Sequence, residues 1–207
     1  MLSRYEKQIT HNPLMVAIKF ARYKFIAKLL DKEDCILEVG CHDGVSSNFF
    51  SQFCKSVDAI DVDANALEEG KNLFKHIHFT CEDALAFQSD KRYDVIVMLD
   101  FIEHFSLEDG EKLIAKYSQM LSDKGVLIIG TPSKHFECYR AEHNKAHHLH
   151  EYYPDEIETL IQKYMRRTML FAMNDEIVHT GNINLAWFVF VIWSYARCDM
   201  SKEDVHK

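Results

Sequence analysis

Proline and glycine are scarce in this chain, at three and seven of 207 residues. That scarcity excludes a low-complexity linker, and no internal repeat is visible, so each glycine and proline is informative punctuation. Paired cysteines are also missing. The six cysteines, Cys35, Cys41, Cys54, Cys81, Cys138 and Cys198, include no Cys-x-x-Cys motif. Several sit inside apolar runs, so they read as reduced, mostly buried thiols of an intracellular protein. A long apolar run is absent too. The longest, "LAWFVFVIW" at 185–193, is too short to span a bilayer, and the N-terminal segment has no continuous apolar signal. The expected location is therefore cytoplasmic. Positive charge is in deficit, with a net charge of -8, which argues against nucleic-acid or anionic-membrane partners.

What is present fits one globular domain with a sizeable core, since 47% of the residues are hydrophobic. Residues 14–30 place Leu14, Ile18, Ala21, Phe25 and Leu29 at helical spacing, with Lys19, Arg22, Lys24 and Lys28 among them. This predicts an amphipathic helix with a basic face, either solvated or turned toward an anionic ligand. Strand-like and helix-like segments then alternate: strands at 35–39, 56–62, 77–83, 93–100 and 124–132, with helices between. A helix at 154–165 and two closing strands, "RRTMLFAM" and "AWFVFVIWSYA", follow. The alternation predicts an α/β fold, a Rossmann-like seven-stranded mostly parallel sheet with helices on both faces and a closing antiparallel hairpin. The expected organisation is a single domain over 1–207: an N-terminal helical cap (1–34), a cofactor-binding core (35–133), and a substrate-side loop, helix and closing strands (134–207).

Ligands of such sheets bind at the carboxyl ends of the strands. Glu38, Gly40 and Gly44 follow the first strand. Asp61 ends the second, about twenty residues on, where an acid can take both hydroxyls of a ribose. Asp83 follows the third. A dinucleotide site needs G-x-G-x-x-G, but those slots hold Gly40, His42 and Val45, so a dehydrogenase fits poorly.

As a linked series, "ILEVGCHDG", "AIDVDANAL", "CEDALAF", "YDVIVMLDFIEHF" and "LSDKGVLIIGTPS" resemble the motifs of class I S-adenosylmethionine-dependent methyltransferases over roughly residues 25–170. The pattern is nearest to the ubiquinone-biosynthesis-type O-methyltransferases. The resemblance implies S-adenosyl-L-methionine as cofactor, S-adenosyl-L-homocysteine as product, and O-methylation of a small-molecule acceptor. It assigns Gly40, Cys41, His42 and Gly44 to the turn around the methionine part, and Glu38 to its support. Asp61 would bind the ribose, Val62 would flank the adenine, and Asp83 with Ala84 would sit at the adenine edge. Leu99 would lie beside the methionyl group. His42 stands where the family usually has glycine, which bears on how closely the backbone approaches the cofactor.

"DFIEHF" spaces Asp100, Glu103 and His104 so that one helical turn would put all three on one face. A later loop, "HNKAHHLHEYYPDEI", adds His143, His147, His148 and His150 and could fold over the strand ends. Glu103, His104 and a loop histidine could act as an acid–base group, bind a divalent metal, or simply shape the loop. By resemblance to metal-dependent small-RNA 3′-end 2′-O-methyltransferases, the metal set would be Asp100, Glu103, His104 and His148. That RNA activity, and a non-catalytic S-adenosylmethionine-binding protein of the same fold, are the alternative functions. Phe136, Tyr139, Tyr152, Tyr153 and Trp187 are candidate walls of an acceptor pocket.

Overall fold

A computed structural model describes residues 9–139 and 146–194. His143, Cys198 and the end of the last expected strand lie outside the described residues. The elements run α1 (Pro13–Ala27), β1 (Cys35–Val39), α2 (Val45–Phe50), β2 (Ser56–Asp61), α3 (Ala64–Leu73), β3 (His78–Cys81), β4 (Tyr93–Leu99), α4 (Leu107–Ser118), β5 (Leu121–Pro132), α5 (Pro154–Gln162), β6 (Thr168–Asn174), β7 (Ile177–His179) and β8 (Phe188–Ser194). They build one sheet in the order β3-β2-β1-β4-β5-β8-β6-β7. The first five strands are parallel; β8 then runs antiparallel between β5 and β6.

The sheet has eight strands rather than the expected seven. The extra strand, β7, is only three residues long and pairs with β6 through Ala172–Asn174. So short a segment carries no readable alternation. The two expected closing strands, β6 and β8, do pair antiparallel, and β7 adds a short antiparallel strand on the outer edge of β6.

Strand alternation divides the core between the two faces of the sheet. Leu37, Val39, Ile96 and Met98 point to one face and join Leu113, Ile114 and Tyr117 of α4 with Ile157 and Ile161 of α5. Ile36, Val95 and Val97 point to the other, where Ile18, Ala21 and Ile26 of α1, Phe50 of α2 and Leu67 of α3 cover them. Helix α1 is rotated relative to its expected face. Ile18 and Ala21 are buried, but Leu14 and Leu29 are exposed, and Arg22 turns inward. Asn12 caps it by accepting from the Met15 N–H at 3.2 Å, and Pro13 opens its first turn. Among the described residues no helix is long and apolar enough to cross a membrane.

Candidate active site

A cleft of about 770 Å³ opens at the carboxyl ends of β1, β2, β4 and β5, with α1 as its far wall. Its floor is the turn after β1. Gly40 and Gly44 have φ of +79° and +74°, and His42 between them has φ +50°. A histidine thus adopts the left-handed conformation that a glycine would adopt freely, at a cost of about 1–2 kcal/mol. Asp61 holds it there: its Oδ2 accepts the His42 N–H at 2.7 Å while Oδ1 accepts the Asp63 N–H at 2.9 Å. The same carboxylate reaches the cleft, and Val62 beside it is 72% exposed.

Beneath the turn lies Glu38, buried and bonded to the Ser47 hydroxyl. Burial, only partly offset by Ser46 and Ser47, pushes its carboxyl up to about 7 from an ordinary value near 4.5. A raised carboxyl favours the folded chain fully only below its unfolded value, and that advantage is lost as pH rises through the folded one. The unliganded protein is therefore expected to lose roughly 2–3 kcal/mol of stability from this group between pH 5 and 8. Thermal melts across that range check it. Glu38→Gln should flatten the dependence, and an unchanged slope would refute the assignment.

The opposite wall is the turn after β4. Asp100 has φ +46° and its Oδ2 pairs with Arg22 Nη1 at 2.6 Å. The Arg22 guanidinium also lies 3.7 Å from the centre of the Phe188 ring, and its Nε is buried without a hydrogen-bond partner. Residues Ile102–His104 form one 3₁₀ turn. It buries Glu103 completely, and Glu103 Oε2 accepts the Thr131 hydroxyl at 3.0 Å while Oε1 has no partner. Burial first, and then the charge of Asp100, pushes the Glu103 carboxyl above the usual range.

The histidine loop closes over this turn. Its backbone is tied down by His150 N–H donating to the Glu103 carbonyl at 3.1 Å and Lys134 N–H to the Tyr152 carbonyl at 2.9 Å. His104 Nδ1 lies 3.0 Å from the His147 carbonyl, which can only accept, so Nδ1 carries the proton and Nε2 the lone pair. His148 Nδ1 lies 2.6 Å from Glu151 Oε1, and the His104 and His148 rings meet edge to face at 5.1 Å. Glu103, His104 and His148 each bring a ligand atom within 4.8 Å of the others.

The structure therefore gathers Glu38, Gly40, Cys41, His42, Asp61, Val62 and Leu99 in one cleft with Asp100, Glu103, His104 and His148. Gly44 stands behind the turn as the left-handed residue that starts α2. Asp83 and Ala84 are not among the cleft's lining residues. The Asp83 carboxylate accepts the Leu85 N–H at 2.7 Å, and Ala84 is buried. Asp100 does not share a face with Glu103 and His104, because its left-handed backbone turns it toward Arg22. Of the loop histidines whose positions are described, His148 alone joins the cluster; His150 bonds Glu156 at 2.9 Å and His147 supplies its carbonyl. Among the aromatic candidates Trp187 lines the cleft, whereas Tyr152 is wholly buried in the core. Arg22 belongs to the basic face that was expected either solvated or turned toward an anionic ligand, whereas Thr131 and Glu151 were not legible as site residues: their partners lie 28 and three positions away.

A family model described as a methyltransferase domain matches residues 14–175. The ubiquinone biosynthesis O-methyltransferase of Coxiella burnetii is 24% identical over 124 residues, covering 57% of this chain and 52% of that protein. The chain thus spans about half the length of the curated relatives it matches. In structure, the N-methyltransferase NodS of Bradyrhizobium japonicum, solved with S-adenosyl-L-homocysteine, superposes with a TM-score of 0.66 at 17% identity, covering 92% of this chain and 91% of that one. A possible histamine N-methyltransferase of Thermotoga maritima gives 0.71 at 15% identity, with 92% and 93% covered. At these identities the two structures speak for the fold alone.

Proposed function

Since the chain belongs to the methyltransferase-domain family, we propose that it transfers a methyl group from S-adenosylmethionine to a hydroxyl of a small-molecule acceptor, assisted by a divalent metal at Glu103, His104 and His148. The observation that carries the oxygen acceptor is this cluster, set in the same cleft as the β1 turn. A sulfonium methyl needs no activation beyond alignment and exclusion of water, but a hydroxyl must lose its proton as it attacks.

The chain's own residues fit the donor. The left-handed turn Gly40–Gly44 lets backbone N–H groups approach the methionine part. Asp61 would exchange its bond to the His42 N–H for the ribose hydroxyls, and Val62 and Leu99 would flank the adenine and the methionyl chain. Arg22 lines the same cleft, and its guanidinium charge suits the donor's carboxylate. Acceptor walls come from Trp187, Phe105 and Pro132, which are largely apolar.

The cluster also fits a metal. Glu103 Oε1 is buried without a partner, and each ligand is held from behind by another group, the arrangement that orients metal-binding side chains. Two imidazoles and a carboxylate suit a first-row divalent cation, which would lower the pKa of an acceptor hydroxyl. His104 and His148 would each present an unprotonated nitrogen to that hydroxyl's side of the cleft. The acidic chain disfavours an RNA acceptor.

Calorimetry with S-adenosylhomocysteine tests the donor site. Binding should weaken about 10–100-fold in Asp61→Ala, since hydrogen bonds to a charged group contribute roughly 1.5–3 kcal/mol. Equal affinity in the two proteins would overturn the ribose assignment. A panel of phenols and sugars incubated with labelled donor then identifies the acceptor.

A further inference from the structure

We propose that Glu151 is the positioning residue of His148: its carboxylate accepts a hydrogen bond from the Nδ1–H and so fixes the ring with Nε2 and its lone pair facing Glu103 and His104. The inference rests on the metal reading of that cluster and adds to it a residue that no motif assigns.

The two imidazoles of the cluster are supported unequally. His104 leans on a peptide carbonyl at 3.0 Å, a neutral acceptor. His148 leans on a carboxylate at 2.6 Å, and the two side chains are only 10% and 4% exposed. A hydrogen bond to an ionised acceptor is roughly twice as strong as one between neutral groups. It also leaves more electron density on the far nitrogen, making His148 the stronger donor of the pair.

The loop leaves Glu151 little choice of position. The residue before it is pinned by His150 N–H to the Glu103 carbonyl, and the residue after it by a parallel bridge between Tyr152 and Ser133 at the end of β5. Tyr152 is fully buried, and its hydroxyl fills the space beside Gly110 of α4. The carboxylate is thus held from both sides by backbone ties, one to the Glu103 carbonyl and one to the chain just after β5. One short segment couples the position of the acid ligand to that of the histidine ligand.

Mn²⁺ titrated into the whole chain by calorimetry, with Glu151→Gln and Glu151→Ala beside the wild type, tests this. Long-range ¹H–¹⁵N spectra of the His148 ring, assigned by their loss in His148→Ala, are recorded in the same samples. Glutamine still accepts a hydrogen bond from the Nδ1–H, so Glu151→Gln should keep the tautomer and lose about 10-fold in Mn²⁺ affinity. Alanine should lose the fixed tautomer and up to about 100-fold. S-adenosylhomocysteine affinity should stay within about two-fold in both, which a general loss of structure would not allow. The proposal is overturned if His148 keeps its tautomer and Mn²⁺ affinity in Glu151→Ala, or, should that variant not fold, if Glu151→Gln binds Mn²⁺ like the wild type. Failure of the wild type itself to bind Mn²⁺ would refute the metal reading separately, and the tautomer of His148 in Glu151→Ala would still decide the role of Glu151.

Discussion

Alanine at His148 is expected to lower turnover by about 10²–10⁴-fold while leaving donor affinity within about two-fold. The side chain is nearly buried, and one of its nitrogens is already committed to Glu151. With Nδ1 committed, the other nitrogen is the one proposed to serve chemistry beside Glu103 and His104, whose ligand atoms lie within 4.8 Å of one on His148. Removing it takes away one of three groups that share a single task, so losses at the three positions should not add. His104→Ala combined with His148→Ala is expected to cost little more than either alone. Rapid-quench turnover with saturating donor, and calorimetry with S-adenosylhomocysteine, separate the chemical step from binding. Full turnover in the double variant would remove the cluster from the reaction. An equal fall in donor affinity would instead make it part of the donor site.

How these residues come together was only partly legible. "DFIEHF" and the histidine loop each stand out in the sequence, because acids and histidines cluster there at short spacing. Which of them meet depends on backbone features that have no sequence signature. Asp100 takes a left-handed φ of +46°, which turns it out of the 3₁₀ turn and onto Arg22. The choice among the loop histidines depends on where the loop is tied, through His150 N–H and the bridge at Tyr152. Helix α1 shows the same limit. Its period predicted a helix correctly, but the basic side chain of Arg22 is drawn inward by Asp100 and the Phe188 ring, and this shifts the buried face. Strands β1, β2 and β4 were legible nearly to the residue, since apolar runs such as "VIVM" are buried on both faces, whereas β3 is shorter and β5 starts earlier than expected. β7 was not legible, being short and joined to the sheet only at its edge. The turn after β1 lies between these cases. Its two glycines marked a close approach of backbone, and His42 was the discordant residue; the structure shows that the histidine adopts the required positive φ, anchored by Asp61.

Alanine at Gly40 is the second large effect, and it should fall on donor binding before it falls on the fold. Gly40 has φ +79°, where an L side chain costs about 1–2 kcal/mol. A Cβ built there would lie 2.2 Å from Phe101 Cδ2, a distance no real contact tolerates. Phe101 therefore has to move. Phe101 and the Phe105 ring 5.0 Å from it both line the cleft, so the displaced Phe101 ring is expected to enter it. The displaced ring would stand where the methionine part of the donor is proposed to lie. Overpacking of this kind costs typically about 1–3 kcal/mol, and with the backbone strain the melting temperature should fall by roughly 5–15 °C. Donor affinity should fall further, by at least about 100-fold, because the ring and the ligand compete for one space. Phe101→Ala in the Gly40→Ala background removes the obstruction and should restore most of the lost affinity, leaving only the strain of the positive φ. Gly44 provides the contrast. A Cβ there would meet Phe79, a buried ring on the far side of the turn, at 2.3 Å. Gly44→Ala should therefore lose stability comparably while its remaining folded fraction binds donor more nearly as the wild type does. Thermal melts and S-adenosylhomocysteine calorimetry on the four proteins, the wild type included, check the pair. If Phe101→Ala fails to rescue Gly40→Ala, the turn acts through its backbone conformation alone and not through the space it leaves for the donor.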